Sequence, residues 1–154
     1  QLPTVSIEPG RAIVGPTMFT LYEVGTVKAV TLENGSQRRY ISVDGGMSDN
    51  IRPSLYGAEY TAIIANRTST AKKVSSRIVG KHCETGDIII REIDLPEDIV
   101  PGDLLAVPAT GAYGRSMASN YNHVPRPSVV AVKDGKARVI VRRESIEDLL
   151  ALDI

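Results

Sequence analysis

The sequence predicts a mainly β fold, a Greek-key β-barrel or sandwich with short helices. Two hairpin signatures and a series of short strand-like runs carry that prediction. Asn34-Gly35 divides two strand-like arms in TVKAVTLENGSQRRYISVD (26–44), and Asp134-Gly135 divides two valine-alternating arms in RPSVVAVKDGKARVIVRR (126–143). Both dipeptides tolerate the left-handed backbone that tight hairpin turns require. Between them lie YTAIIAN (60–66), KKVSSRIVGKH (72–82), DIIIREIDL (87–95) and DLLAVPAT (103–110), each short, β-branched and bounded by Gly, Pro or Asp. Strands of that number and spacing suit a barrel or sandwich of mainly antiparallel pairs.

Helix is expected in only three places: PTMFTLYEV (16–24), a turn or two around SMASNY (116–121), and the closing ESIEDLLALDI. In the last, Ser145 is the expected N-cap, with Glu147 and Asp148 in the first turn, where the helix dipole favours acids. Residues 15–154 therefore read as one β-domain without a linker or internal repeat. Residues 1–14 fit it poorly and read as a strand and loop of a preceding unit. The chain opens in mid-strand without an initiator Met, as expected of the C-terminal piece of a longer protein.

Composition narrows the function. Eighteen basic residues balance 18 acidic ones, which argues against nucleic acid or an anionic membrane as the main partner. A single cysteine forms no intrachain disulfide and supports no cysteine-based zinc site. No apolar run approaches the roughly 18 residues that span a bilayer, so the expectation is a cytoplasmic protein without a metal.

Several short motifs carry chemistry. EPGR (8–11) follows the strand-like TVSI and precedes a short predicted helix. Its glycine lets backbone N–H groups approach an anion, which Arg11 can clamp through two donors; the same four residues also make a plain turn. In VDGGMSDNIRPSLY (43–56), a helical turn begun at Pro53 puts Arg52 and Tyr56 on one side, able to hold one carboxylate. The alternative is a surface Arg and a packing Tyr. GAYGRSMASNYN (111–122) places Tyr113 in a loop of small residues that either approaches a ligand or packs on a strand. His82 and His123 read as packing or surface residues. HCETGD (82–87) holds the lone thiol, Cys83, beside Glu84.

In order, E-P-G-R, D-G-G-M-x-D-x-I-R-P-x-x-Y, C-E-T-G-D, P-G-D-L-L and G-A-Y-G-x-S-M-A-S-N-Y-N-x-x-P-R-P resemble the C-terminal part of the diaminopimelate decarboxylase family. These are pyridoxal-phosphate enzymes built from an alanine-racemase-type barrel and a β-domain. The resemblance runs from about residue 7 to residue 150. Thr85 stands where the family usually has Ser, which keeps the hydroxyl.

The resemblance implies that residues 1–14 are the last strand and loop of a (β/α)₈ barrel absent from this chain. It implies that Glu8, Pro9, Gly10 and Arg11 line the site of the cofactor phosphate, with Arg11 also reaching the substrate. Arg52 and Tyr56 match the pair that holds the distal carboxylate of the substrate, and Tyr113 the residue that contacts both cofactor phosphate and substrate. Cys83 matches the general acid and Glu84 the ligand of the substrate amine, both entering from the other subunit of a homodimer. The lysine that forms the Schiff base with pyridoxal phosphate lies on the barrel, outside this chain.

The implied activity is decarboxylation of meso-2,6-diaminopimelate to L-lysine, the last step of lysine biosynthesis. After carbon dioxide leaves, a proton must reach the α-carbon, and an ordinary thiol, mostly protonated at neutral pH, can deliver it. By this reading the chain holds half of an active site and decarboxylates nothing alone. Two other readings compete: an ornithine- or arginine-type decarboxylase, against which Arg52 and Tyr56 count, and a non-catalytic β-barrel binding or regulatory module.

Overall fold

A computed structural model of the chain describes residues 2–154. Gln1, the first residue of the expected 1–14 segment, lies outside the described residues. Eight strands form, β1 (Phe19–Thr31), β2 (Gln37–Val43), β3 (Ile63–Ile64), β4 (Lys73–Val79), β5 (Ile88–Pro96), β6 (Leu104–Pro108), β7 (Val129–Lys133) and β8 (Lys136–Val141). Four short helices accompany them, α1 (Gly10–Val14), α2 (Arg52–Tyr56), α3 (Gly114–Met117) and α4 (Ile146–Leu149). The first six strands make one curled, mixed sheet in the order β3-β6-β1-β2-β4-β5, a half-barrel, and β7 and β8 form a separate hairpin.

The mainly β expectation holds, with one refinement. Every neighbouring pair is antiparallel except β2 and β4, which run parallel with Ser42 opposite Val79. Strand β1 is the spine. Its first half pairs with β6 and its second with β2, the change falling at a bulge between Val24 and Val27. There the Thr26 N–H donates to Ser42 Oγ at 2.7 Å, so a side chain replaces the missing ladder bond.

The helix expected over 16–24 does not form. Only Gly15–Thr17 makes a 3₁₀ turn, and β1 begins at Phe19. Thr20, Tyr22 and Val24 point inward while Phe19, Leu21 and Glu23 face out. That two-residue alternation of aromatic and β-branched side chains fits a half-buried strand, and pairing with β6 overrides any local helical tendency. The run 60–66 contracts to the two residues of β3, and residues 2–9 adopt no regular structure.

Both hairpin turns form as expected. Asp134 and Gly135 have φ +51° and +70°, the paired left-handed residues of a type I′ turn, whereas in the first turn Gly35 alone is left-handed, at φ +80°. Ser145 caps α4 with a capping box to Asp148. The core is one cluster, in which Ile41, Ile78, Leu105 and Val107 are fully buried beside Tyr22, Val24, Ile89, Ile90 and Leu95. Each large aliphatic buried so contributes about 1.5–3 kcal/mol.

One ion-pair cluster closes the end of the sheet where β6 begins. Arg67 donates Nε and Nη2 to the two oxygens of buried Asp103 at 2.7 and 2.8 Å, and Nη1 to Asp98 at 2.9 Å. Asp103 also accepts the Val100 N–H at 3.0 Å. The Arg67 guanidinium holds its carboxyl down at about 2. A carboxyl lowered by folding stabilises fully above the ordinary range near 4 and loses that contribution as pH falls toward about 2. Thermal unfolding followed by circular dichroism from pH 7 to 2 should therefore show Asp103→Asn several degrees less stable at pH 7. The gap between variant and parent should shrink below about pH 4.

Candidate active site

Two loops leave the parallel pair β2 and β4 from the same end, and one buried carboxylate ties them together. Asp87 accepts the Met47 N–H from the first loop and the His82 N–H from the second, each at 2.7 Å. It is 3% exposed. Gly46 and Gly80 flank it: a Cβ on Gly46 would lie 2.6 Å from Asp87 Oδ2, and one on Gly80 would overlap the carboxylate outright. Gly45 has its own reason, because the ring of Tyr22 occupies the space a side chain would need. The Tyr22 hydroxyl donates to Asp49, which also accepts the Gly46 N–H at 2.6 Å. Burial, then the Asp49 charge, pushes the Tyr22 hydroxyl well up, and burial likewise raises the Asp49 carboxyl.

The first loop runs into α2. Pro53 is buried in its first turn and Gly57 ends it at φ +63°. Arg52 and Tyr56 share one side as predicted, with the Arg52 guanidinium carbon 5.5 Å from the Tyr56 ring centroid. The ring of Tyr113 approaches the same guanidinium, with its centroid at 5.4 Å. Arg52 is thus held between two aromatic rings, and no carboxylate pairs with it among the described residues. Tyr113 reaches this place from a left-handed backbone, φ +68°, just before α3. A non-glycine residue there is uncommon and stores strain. Its loop is fixed to the segment that leads into β1, since the Gly111 N–H donates to the Gly15 carbonyl at 3.1 Å. A side chain on Gly111 would collide with the Val14 carbonyl oxygen.

The second loop carries Cys83 and Glu84, both exposed. The Ser54 hydroxyl of α2 donates to the Gly86 carbonyl, joining this turn to the Arg52 helix. No hydrogen bond or ion pair links Cys83 or Glu84 directly to Arg52, Tyr56 or Tyr113 among the described residues. Glu84 instead accepts a 2.6 Å hydrogen bond from the Tyr121 hydroxyl, a bond that pushes the Tyr121 hydroxyl upward. The sequence reading did not single out Tyr121; 37 positions separate it from Glu84, and no periodicity connects them. His82 packs as expected, buried with Nε2 2.9 Å from Ser48 Oγ, while His123 is exposed. Glu8, Pro9, Gly10 and Arg11 are all exposed, Gly10 opening the five residues of α1. Among the described residues no cluster of three His, Cys, Asp or Glu is placed to hold a metal, and no helix is long and apolar enough to cross a membrane.

Residues 13–111 match the family described as pyridoxal-dependent decarboxylase, C-terminal sheet domain. The chain belongs to that family. It is 59% identical over 152 residues to diaminopimelate decarboxylase of Mycobacterium tuberculosis, covering 99% of this chain and 34% of that protein. It is 53% identical over 154 residues to the Bacillus subtilis diaminopimelate decarboxylase, covering all of this chain and 34% of that one. The solved diaminopimelate decarboxylase of Helicobacter pylori, complexed with L-lysine, superposes with a TM-score of 0.80 at 37% identity, over 93% of this chain and 33% of that one. The chain therefore spans about a third of the length of the relatives it matches. Within this sheet domain, the loops that follow β2 and β4 carry Arg52, Tyr56, Cys83 and Glu84, while Tyr113 comes from the segment after β6 and Glu8, Pro9, Gly10 and Arg11 lie ahead of β1.

The glycines around Asp87 give a direct test of this geometry. Gly46→Ala and Gly80→Ala should each cost about 1–3 kcal/mol, the usual penalty for overpacking. Gly114→Ala, which meets nothing within 4 Å, should leave stability unchanged or slightly higher. Urea unfolding of the three variants checks the contrast.

Proposed function

We propose that this chain is the C-terminal part of a decarboxylase that converts meso-2,6-diaminopimelate to L-lysine, with pyridoxal phosphate as cofactor. The observation that carries the proposal is Arg52, held between Tyr56 and Tyr113 with no carboxylate paired to it among the described residues. A guanidinium so presented suits the distal carboxylate of a dicarboxylic amino acid through paired, charge-assisted bonds. A site built for that second carboxylate rejects amino acids without one, because they leave the Arg unpaired. The high identity to diaminopimelate decarboxylases supports the same substrate.

The remaining residues take roles around it. Arg11 and Tyr113 sit on segments joined at Gly15 and Gly111, and their guanidinium and hydroxyl suit the phosphate of the cofactor, with Glu8, Pro9 and Gly10 lining its approach. Pyridoxal phosphate, when bound, supplies an electron sink for the bond that breaks at the substrate α-carbon. Once carbon dioxide has left, Cys83 gives its Sγ proton to that carbon, and the thiolate recovers a proton from solvent. Glu84 binds the distal ammonium. Cys83 and Glu84 are exposed and have no direct bond to the Arg52 cluster, which supports their serving the partner's site in a homodimer. Residues 1–14 belong with a barrel that carries the Schiff-base lysine. An exposed, unpaired thiol suits the reducing cytoplasm.

Arg52→Ala in the full-length enzyme should weaken diaminopimelate binding by roughly tenfold to more than a hundredfold while cofactor binding holds. Titration of both ligands checks this, and an equal loss of cofactor would overturn the assignment of Arg52 to the substrate. Cys83→Ala should bind both ligands yet lose about 10²–10⁴-fold in kcat. Mixed with a subunit lacking the cofactor lysine, it should regain part of the activity, since a heterodimer then holds one intact site. Turnover near normal in Cys83→Ala would remove the thiol from the mechanism.

A further inference from the structure

Outside the groups assigned so far, one exposed side chain touches a proposed substrate ligand directly. Tyr121 Oη donates to Glu84 Oε1 at 2.6 Å, a charge-assisted contact that restricts an otherwise free surface carboxylate. The tyrosine is itself fixed from several sides. Its ring meets the ring of His82 edge-on, with centroids 5.5 Å apart. His82 is buried, bonded through Nε2 to Ser48 Oγ at 2.9 Å and through its backbone N–H to Asp87 at 2.7 Å. The Ser119 N–H, two residues before Tyr121, donates to the Ser48 carbonyl at 2.8 Å. Asn120 donates Nδ2 to Glu144 at 2.6 Å and to the Val124 carbonyl at 3.2 Å. Residues 48, 82–87 and 119–121 thus form a closed circuit of contacts, and the Tyr121 hydroxyl is where that circuit reaches Glu84.

We propose that Tyr121 is a positioning residue for substrate specificity, aiming the Glu84 carboxylate so that its second oxygen meets the distal ammonium of the substrate. This rests on the reading of Glu84 as the amine ligand. The phenol occupies Oε1 and leaves Oε2 free, so one oxygen is anchored to the protein and the other is offered to the ligand. An unanchored Glu has three rotatable bonds to fix on binding, and that cost falls on the affinity for any ligand that uses it. Only ligands carrying the distal amine feel the difference.

The test therefore compares two ligands in the full-length enzyme: diaminopimelate, and 2-aminopimelate, which lacks only the distal amine. Tyr121→Phe keeps the ring that packs on His82 and removes the hydroxyl alone. It should raise KM for diaminopimelate by roughly two- to tenfold, the cost of fixing one flexible side chain on binding, with kcat changed far less. The inhibition constant of 2-aminopimelate should stay as in the parent. Glu84→Gln should show the same selectivity, and adding Tyr121→Phe to it should bring little further loss. Equal weakening of both ligands in Tyr121→Phe, weakening of neither, or additive losses in the double variant would overturn the positioning role. If Glu84→Gln itself fails to separate the two ligands, the assignment of Glu84 to the amine falls, and this inference with it.

Discussion

The candidate-site end of the molecule depends on the buried carboxylate of Asp87. It takes one backbone N–H from each of two loops, Met47 and His82, at 2.7 Å. A buried carboxylate without such donors would be costly, so the two loops and the acid stabilise one another. The flanking glycines follow from the same constraint, because any side chain at 46 or 80 would enter the space of the carboxylate. The single parallel pair explains why the two loops meet at all. Antiparallel neighbours send their ends in opposite directions, whereas β2 and β4 finish side by side at Ser42 and Val79. The Lys81 N–H then reaches the Gly45 carbonyl at 3.0 Å. An otherwise antiparallel sheet thus places the Arg52 helix and the Cys83 turn at one end of its strands.

Rigidity at this end comes from packing that is polar more than apolar. Arg52 is oriented by the faces of two tyrosines, contacts that place a guanidinium without neutralising it. An ion pair would have held it as firmly but would have spent its charge within the protein. Tyr113 accepts an uncommon backbone conformation to complete the arrangement, and the Gly111 to Gly15 bond holds that conformation against the segment leading into β1. Strain so supported keeps a side chain where an unstrained loop would let it wander.

What the sequence revealed was local, and what it concealed depended on distant pairing. Asn34-Gly35 and Asp134-Gly135 carry their turn type in their own backbone preferences, and Ser145 its cap. Arg52 and Tyr56, four residues apart around Pro53, needed only one helical turn to meet. PTMFTLYEV misled because a short apolar run has no decisive period; Tyr22 and Val24 face the core only once β6 and β2 pair with that strand. Asp87 reads as part of a Gly-Asp turn, and nothing near it announces that two loops will converge on its carboxylate. Tyr121 was visible within SNYN, yet its partner lies in another loop. The family resemblance supplied the candidate site residues that spacing alone left open, but it named the proposed ligands and not the side chains that bond to them.

The lone hairpin β7–β8 shows how far this support extends. A two-stranded hairpin is marginal by itself, and several of its valines are exposed, so its base must be tied to the domain. Glu144, just past β8, accepts the Arg126 N–H at 2.8 Å and the Asn120 side chain at 2.6 Å, and faces the Arg126 guanidinium at 3.5 Å. The Arg126 N–H is the leading cause that holds the Glu144 carboxyl below its usual range, so it stays charged as an acceptor through neutral pH. Asn120 precedes Tyr121, and Tyr121 bonds Glu84. The hairpin therefore does more than close the chain, because the acid at its base anchors the loop from which a phenol reaches the turn beside Cys83.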